Sequence, residues 1–325
     1  MQRVLLAGFG FMGKKHADVY HRFPDACVVG IVDPRGEDLG ESLRESQLAH
    51  FPVFADFASA VGGLEFSAVD ICLPTDLHCE IACQAFSANK HVFCEKPIAL
   101  TREDAAAMTN AARVACRQFM VGHCIRFWPE YVALKRIVDS GEHGRLLSLS
   151  LRRRTGRPGY SIGDWVNKPE RCLGAALDLH IHDTDFLLHL LGAPEAVVSQ
   201  GLRDETGWSS ISTQYLYDGR IVTSDGAWNY PANWGFQMAF NAVFERAVLD
   251  FDSRSMLTLT ADETRPVALS MPPHDGYYHE LAYFIGCLER GEPLSISTGE
   301  QASASLDLVL AEIESAATGN RIYLK

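Results

Sequence analysis

The chain has 325 residues, 47% of them hydrophobic and 22% charged, the composition of an ordinary globular protein with room for two cores. A net charge of -12 at pH 7 argues against a nucleic-acid partner, whose phosphates want a basic face. No apolar run reaches the ~20 residues of a membrane-spanning helix, so no membrane partner is expected. The opening Met1-Gln2-Arg3-Val4-Leu5-Leu6-Ala7-Gly8 has no signal-peptide layout, which makes the cytoplasm the expected compartment. The nine cysteines include no Cys-x-x-Cys pair, and Cys79 and Cys83 share a helix face without further ligands beside them. Reduced thiols and no metal site are expected.

In chain order, short apolar runs predict strands at 3–7, 27–32, 68–73, 91–93 and 120–122. Helical spacing separates them at 12–22, 37–49, 77–88 and 102–116. This alternation reads as βαβ units, hence an α/β fold whose N-terminal domain, residues 1–122, is a Rossmann doubly wound parallel sheet. From 123 to 325 the pattern changes. A helix at 131–139 leads into alternating strands at 146–154, 196–202, 210–217, 220–227, 236–243, 247–251 and 256–260. Asp218-Gly219 is one of the tight turns between them. Helices are predicted at 177–191, 278–290 and 300–317. The second domain is therefore expected to be α+β, with one large, mostly antiparallel open sheet.

Gly8-Phe9-Gly10-Phe11-Met12-Gly13 stands between the first strand and the first helix, and Asp33 follows Gly13 by 20 residues. In a dinucleotide fold the first glycine makes the tight turn and the second lets the backbone approach a pyrophosphate. The third lets helix and strand pack closely. The helix N-terminus offers N–H groups and a positive dipole end to the diphosphate. Asp33 can accept hydrogen bonds from both ribose hydroxyls and repels a 2′-phosphate, which favours NAD over NADP. Arg35 keeps NADP open, because it could meet a 2′-phosphate or stack on adenine.

Glu95-Lys96-Pro97 follows the fourth strand, at the carboxyl edge where ligands of such sheets bind. Lys96 is either an exposed charge or a desolvated amine usable as an acid–base. Further on, Asp178, His182 and Asp185 fall on one stripe of the helix predicted at 177–191. A carboxylate one turn before an imidazole can fix its tautomer while the other nitrogen faces a substrate. A mononuclear metal site is the rival reading of that cluster. His180 points the opposite way and reads as packing or a subunit contact.

Taken together, several motifs resemble the Gfo/Idh/MocA oxidoreductases along essentially the whole chain. They are the glycine motif with His16 after it, Pro74-Thr75-x-x-His78, Lys90-His91-Val92-Phe93-x-Glu95-Lys96-Pro97, Gly122-His123-x-x-Arg126-Phe127, and Asp178-x-x-x-His182-x-x-Asp185. The resemblance implies a Rossmann domain followed by an α/β domain whose open sheet mediates homodimers or homotetramers. It implies hydride transfer between NAD or NADP and a sugar or polyol, with Lys96 as acid–base and Asp178 and His182 beside the substrate. Pro74, Thr75 and His78 correspond to the segment along the ribose and nicotinamide, and Glu95 to a residue beside the nicotinamide ribose. Trp165 corresponds to a tryptophan that lines the active site. Other substrate candidates are His123, Arg126 and Tyr160, with Asn167, Tyr277, Tyr278 and His279 as further wall residues.

One departure is His180, which stands where many members carry glycine. The run Arg152, Arg153, Arg154 and Arg157 reads either as a grip on a substrate carboxylate or phosphate, or as a strand edge or subunit contact. Two other functions fit the same resemblance less well. One is a glycoside-cleaving relative that oxidises transiently with held NAD, and the other is a nonenzymatic NAD(H) sensor.

Overall fold

Residues 1–262 and 264–324 are described by a computed structural model. The chain divides into two units. The first comprises Met1–His123, Tyr160–Gly163 and Tyr277–Ser303, and the second takes the remainder.

In the first unit, β1 (Gln2–Ala7), β2 (Ala26–Val32), β3 (Val53–Phe54), β4 (Ala68–Ile71), β5 (His91–Glu95) and β6 (Phe119–Gly122) form one parallel sheet in the order β3-β2-β1-β4-β5-β6. Helices α1 (Phe11–Tyr20), α2 (Gly40–Glu45), α3 (Phe57–Gly63), α4 (His78–Ser87) and α5 (Arg102–Ala115) make the crossovers. Val4 to Ala7 are all fully buried, as expected of a central strand covered on both faces. The predicted α5 start is present: Thr101 Oγ1 accepts from the Asp104 N–H at 3.1 Å, a cap worth ~1 kcal/mol. The strand order reverses between β1 and β4, and the crevice at such a switch point is where ligands of this sheet type bind.

Two elements here were not predicted. β3 is only two residues long, too short to show a period, and the weakly patterned α3 follows it. The helix expected at 37–49 is a short 3-10 turn (Gly36–Leu39) and then α2.

The second unit contains α6 (Pro129–Ser140), β7 (Leu146–Gly156), α7 (Pro169–Cys172), α8 (Ala175–Asp178), α9 (Ile181–Leu191), β8 (Ala196–Asp204), β9 (Gly207–Tyr217), β10 (Arg220–Tyr230), β11 (Gln237–Phe244), β12 (Ala247–Asp252), β13 (Thr258–Ala261), β14 (Val267–Ala268) and, after two long helices, β15 (Ile322–Tyr323). These nine strands form one sheet, ordered β14-β13-β12-β11-β7-β10-β9-β8-β15, antiparallel except where β7 pairs with β10. Alternation sorts its faces. In β9, Ile211, Thr213 and Tyr215 are buried while Ser212 and Gln214 are exposed. An aromatic cluster packs on the inner face, with Tyr131 of α6 4.9 Å from Phe186 and 5.0 Å from Phe240.

The long helices are α10 (Gly276–Arg290) and α11 (Gly299–Thr318), the latter crossing from one unit to the other after Ser303. The sequence reading placed 160–163 and 277–303 in the second domain, but they belong to the first unit. Exposed sheet edges need cover, and β6 is an edge: Val121 N–H donates to Ser297 O at 2.9 Å and Ser297 Oγ to Val121 O at 2.6 Å. Phe284 of α10 packs edge-on to Phe93 at 5.6 Å. Among the described residues no helix is long and apolar enough to cross a membrane, and all nine cysteines are free thiols.

Candidate functional site

The glycine turn in the first unit is shaped from inside and from outside. Gly8 has φ +94°, and a Cβ there would lie 2.6 Å from Cys72 O. A Cβ on Gly13 would lie within 3.1 Å of the Gly8 carbonyl carbon. Both glycines are therefore dictated by the protein's own packing. Gly10 is different, since the nearest atom to its Cβ position is Ile162 Cδ1 at 3.8 Å. Open space over a glycine fits the close approach of a diphosphate, and α1 begins there with no side-chain cap on its N–H groups. The residues present fit a dinucleotide. Phe9 is buried, whereas Phe11 is 59% exposed and stacks on Tyr160 at 5.0 Å.

Asp33, just past β2, accepts from the Phe9 N–H at 3.0 Å and from the Arg35 N–H at 3.1 Å. The Arg35 side chain donates from Nε to Asp33 Oδ1 at 2.8 Å, and from Nη2 to Oδ2 at 2.6 Å and to Phe9 O at 3.0 Å. Burial works to raise the Asp33 carboxyl, but these donors prevail and hold it below the usual carboxylate value. The aspartate is thus ionised, and its arginine leans along it toward the glycine turn. Beside it runs a groove of about 430 Å³ lined by Val32, Pro34, Phe57, Leu73, Leu77 and Ile81 among others. Its apolar walls suit a flat heteroaromatic ring.

At the carboxyl end of β5, Glu95 Oε1 lies 3.1 Å from His16 Nε2 without a hydrogen bond between them, and Oε2 accepts from the Lys96 N–H at 3.1 Å. Lys96 is half-buried, and its bond to Pro97 is cis. His78, the first residue of α4, sets its ring nitrogens 2.9 Å from Pro97 O and 2.9 Å from Leu73 O. Burial holds its imidazole below the ordinary value, so the ring is neutral and its one N–H donates to one of these two carbonyls. Thr75 is buried next to it, and Pro74 is half-buried. His123, just past β6, is buried. Tyr277 and Tyr278 turn to Lys15 and Phe23 on the α1 side.

In the second unit the helix predicted at 177–191 is interrupted. The His180 N–H reaches back five residues to Ala175 O at 2.8 Å, which widens the turn after Asp178, so a uniform 100° per residue does not carry from Asp178 to His182. Asp178 is buried at the end of α8, and His182 is half-buried in the first turn of α9. His180 goes into the core. It pairs with Glu312 of α11 at 2.7 Å, and a Cβ on Gly226 would lie 2.6 Å from its own Cβ.

Asp185, one turn after His182 on α9, is buried and gripped by Arg126 with both prongs at 2.8 and 2.7 Å. Those two N–H groups of Arg126 are committed within the fold, so the structure casts it as a buried ion-pair member. Of the arginine run, Arg153 pairs with buried Asp183 at 2.7 Å, Arg154 with Asp225 at 3.3 Å and Arg157 with Glu205 at 2.6 Å. Trp165 packs on the core group of Val166, Cys172, Ala175, Leu179 and Trp228.

Two family descriptions match the sequence: an oxidoreductase family with an NAD-binding Rossmann fold over residues 2–123, and the GFO/IDH/MocA C-terminal domain over residues 131–250. The chain belongs to the GFO/IDH/MocA oxidoreductases. Within that family, inositol 2-dehydrogenase of Rhizobium meliloti is 26% identical, aligned over 98% of this chain and 98% of its own length. D-glucoside 3-dehydrogenase of Escherichia coli is 25% identical over 99% and 97%. A solved structure of levoglucosan dehydrogenase in complex with NADH and levoglucosan has a TM-score of 0.87, at 23% identity over 99% of each chain, so the fold is shared. For this GFO/IDH/MocA chain, sequence reasoning missed the groove residues Leu73, Leu77 and Ile81. The signal was available: Leu77, at the N-cap of α4, and Ile81 in its first turn are four apart, shortly after Pro74.

Proposed function

We propose that the chain is an NAD-dependent dehydrogenase, with NADP a second cofactor, moving a hydride between the nicotinamide and a secondary alcohol or ketone of a sugar or polyol. The observation that carries this reading is one parallel sheet presenting an open glycine turn, an ionised Asp33 and a half-buried Lys96 at its carboxyl ends. The names of inositol 2-dehydrogenase, D-glucoside 3-dehydrogenase and levoglucosan dehydrogenase among its relatives support the substrate class.

When bound, the dinucleotide supplies the hydride acceptor or donor. Gly8 to Gly13 hold its diphosphate, Asp33 the adenosine ribose and the neighbouring groove the adenine. In the oxidative direction the Lys96 amine takes the hydroxyl proton at Nζ, and in the reductive direction it returns it. His182 orients the reacting oxygen, and Asp178 accepts a hydrogen bond from an adjacent hydroxyl. General acid–base help of this kind is worth ~10²–10⁴-fold. We further propose cytoplasmic action as a homodimer or homotetramer joined through the outer face of the nine-stranded sheet.

The test is a screen of NAD and NADP reduction over sugars and polyols, with Lys96→Ala run in parallel. Stoichiometric reduction that collapses ~10²-fold or more in the variant, with NADH binding preserved, is the expected result. Wild-type turnover by Lys96→Ala would show that the proton goes elsewhere.

A further inference from the structure

Beneath the Glu95-Lys96-Pro97 turn the first unit buries a line of ionisable side chains that the proposed reaction leaves unused. His16 of α1 is fully shielded from solvent. Its Nδ1 lies 2.9 Å from Asp70 Oδ2 on β4, and its Nε2 3.1 Å from Glu95 Oε1 at the end of β5. Cys72 Sγ is 3.3 Å from the same Nδ1. Glu280 of α10 completes the surroundings on the Glu95 side, and Tyr20 on the Asp70 side.

Nδ1 of His16 hydrogen-bonds Asp70, whereas Nε2 and Glu95 Oε1 meet at 3.1 Å outside hydrogen-bond geometry, so His16 acts on Glu95 through charge. Burial alone would lower the His16 pKa, but Asp70 and Cys72 more than reverse this and leave it well above the ordinary value. The seat of Glu95 is also shaped from the far side. A Cβ on Gly122 of β6 would stand 3.2 Å from Glu95 Oε1 and 3.3 Å from its carboxyl carbon, so an alanine there pushes the carboxylate by a few tenths of an ångström.

Given the reading of Lys96 as the acid–base, we propose that His16 is its positioning residue. Hydrogen-bonded to Asp70 and facing Glu95 Oε1, it holds the Glu95 carboxylate by charge, and that carboxylate in turn accepts from the Lys96 N–H and so sets the point from which the amine departs. His16 also supplies the positive charge that balances the buried carboxylates behind the turn. Without it, the excess negative charge favours the ammonium form of Lys96 and withholds the free amine until higher pH.

The test measures Lys96 directly, with no substrate needed: competitive acetylation by acetic anhydride across pH, read by peptide mass spectrometry. NADH binding and polyol-dependent NAD reduction accompany it. In His16→Asn the acetylation midpoint of Lys96 should rise by roughly half a pH unit or more. Its kcat should fall roughly 10- to 100-fold, with NADH affinity held. A purely structural loss would reduce the amount of competent protein and leave that midpoint in place. Gly122→Ala displaces Glu95 without removing a charge, and should lower kcat about 10-fold per NADH-binding protein. It carries the test by itself if His16→Asn does not fold.

An unmoved midpoint with wild-type kcat in His16→Asn overturns the proposal, as does wild-type kcat in Gly122→Ala when that variant stands alone. Lys96→Ala separates the two ideas. Full activity there sinks the acid–base reading and the positioning role with it. Collapse there, with both other variants behaving as wild type, sinks the positioning role alone.

Discussion

Replacing Arg126 with methionine removes the cation that Asp185 faces in the second unit. Arg126 donates to both carboxylate oxygens, at 2.8 and 2.7 Å, and Ser305 Oγ donates to the same group at 2.6 Å. The two charged side chains are 3% and 0% exposed. Methionine fills much of the volume but strands an ionised carboxylate away from water. Breaking a buried pair from one side costs ~3–5 kcal/mol. At ~2–4 °C per kcal/mol for a domain of this size, the melting midpoint should drop on the order of 10 °C. The double variant Arg126→Met, Asp185→Leu strands no charge and should recover a large part of the loss. Calorimetry on the four proteins of the cycle, with steady-state kinetics, makes the measurement. A midpoint within ~2 °C of wild type, together with an about tenfold rise in substrate KM, would refute the ion-pair role and make Arg126 a substrate ligand.

Two further outcomes follow from the same geometry. Gly10→Ala meets nothing closer than Ile162 at 3.8 Å, so it should melt as wild type yet bind NADH at least ~10-fold more weakly. Gly13→Ala, driven into the Gly8 carbonyl, should lose the fold itself; equal melting of the two variants in circular dichroism would contradict this. His180, buried against Glu312, has its pKa raised: burial lowers it, but the glutamate more than offsets that. Its contribution is then full below the ordinary histidine value of ~6.5 and is lost as pH climbs through the higher folded value. The stability gap between wild type and His180→Asn should therefore be widest near pH 6 and narrow toward alkaline pH by about 1.4 kcal/mol per pH unit inside that window. Denaturant titrations that show a flat or widening gap would count against a charged His180.

What could be read from the chain was whatever lies close together along it. The first βαβ unit is contiguous, so the glycine turn, the start of α1 and the spacing to Asp33 all follow from residues 8–33. Steric demands inside a turn are local, and the alternation of strands and helices gives the sheet class by simple periodicity. The break after Asp178 was invisible for the opposite reason. Leu177 to Leu191 keeps a helical apolar pattern, and the interruption depends on His180 finding Glu312 and the empty space over Gly226, which local periodicity does not record.

The same division runs through the charged residues. Composition and motif showed which ones were present, and Lys96 drew notice from its neighbours Glu95 and Pro97. Partners remote in sequence decided what the others do. Arg126 meets Asp185 59 residues away, Asp185 meets Ser305 across 120, and His16 meets Asp70 across 54. A buried charge is stable only with an opposite charge brought to it, and the choice of partner belongs to the packing of β4, α9 and α11. The segments Tyr160–Gly163 and Tyr277–Ser303 join the first unit for a related reason, since an exposed ring and an open sheet edge accept whatever chain the fold delivers. Sequence determined the dinucleotide cradle; tertiary structure determined which buried carboxylate meets which cation, because those partners are remote along the chain.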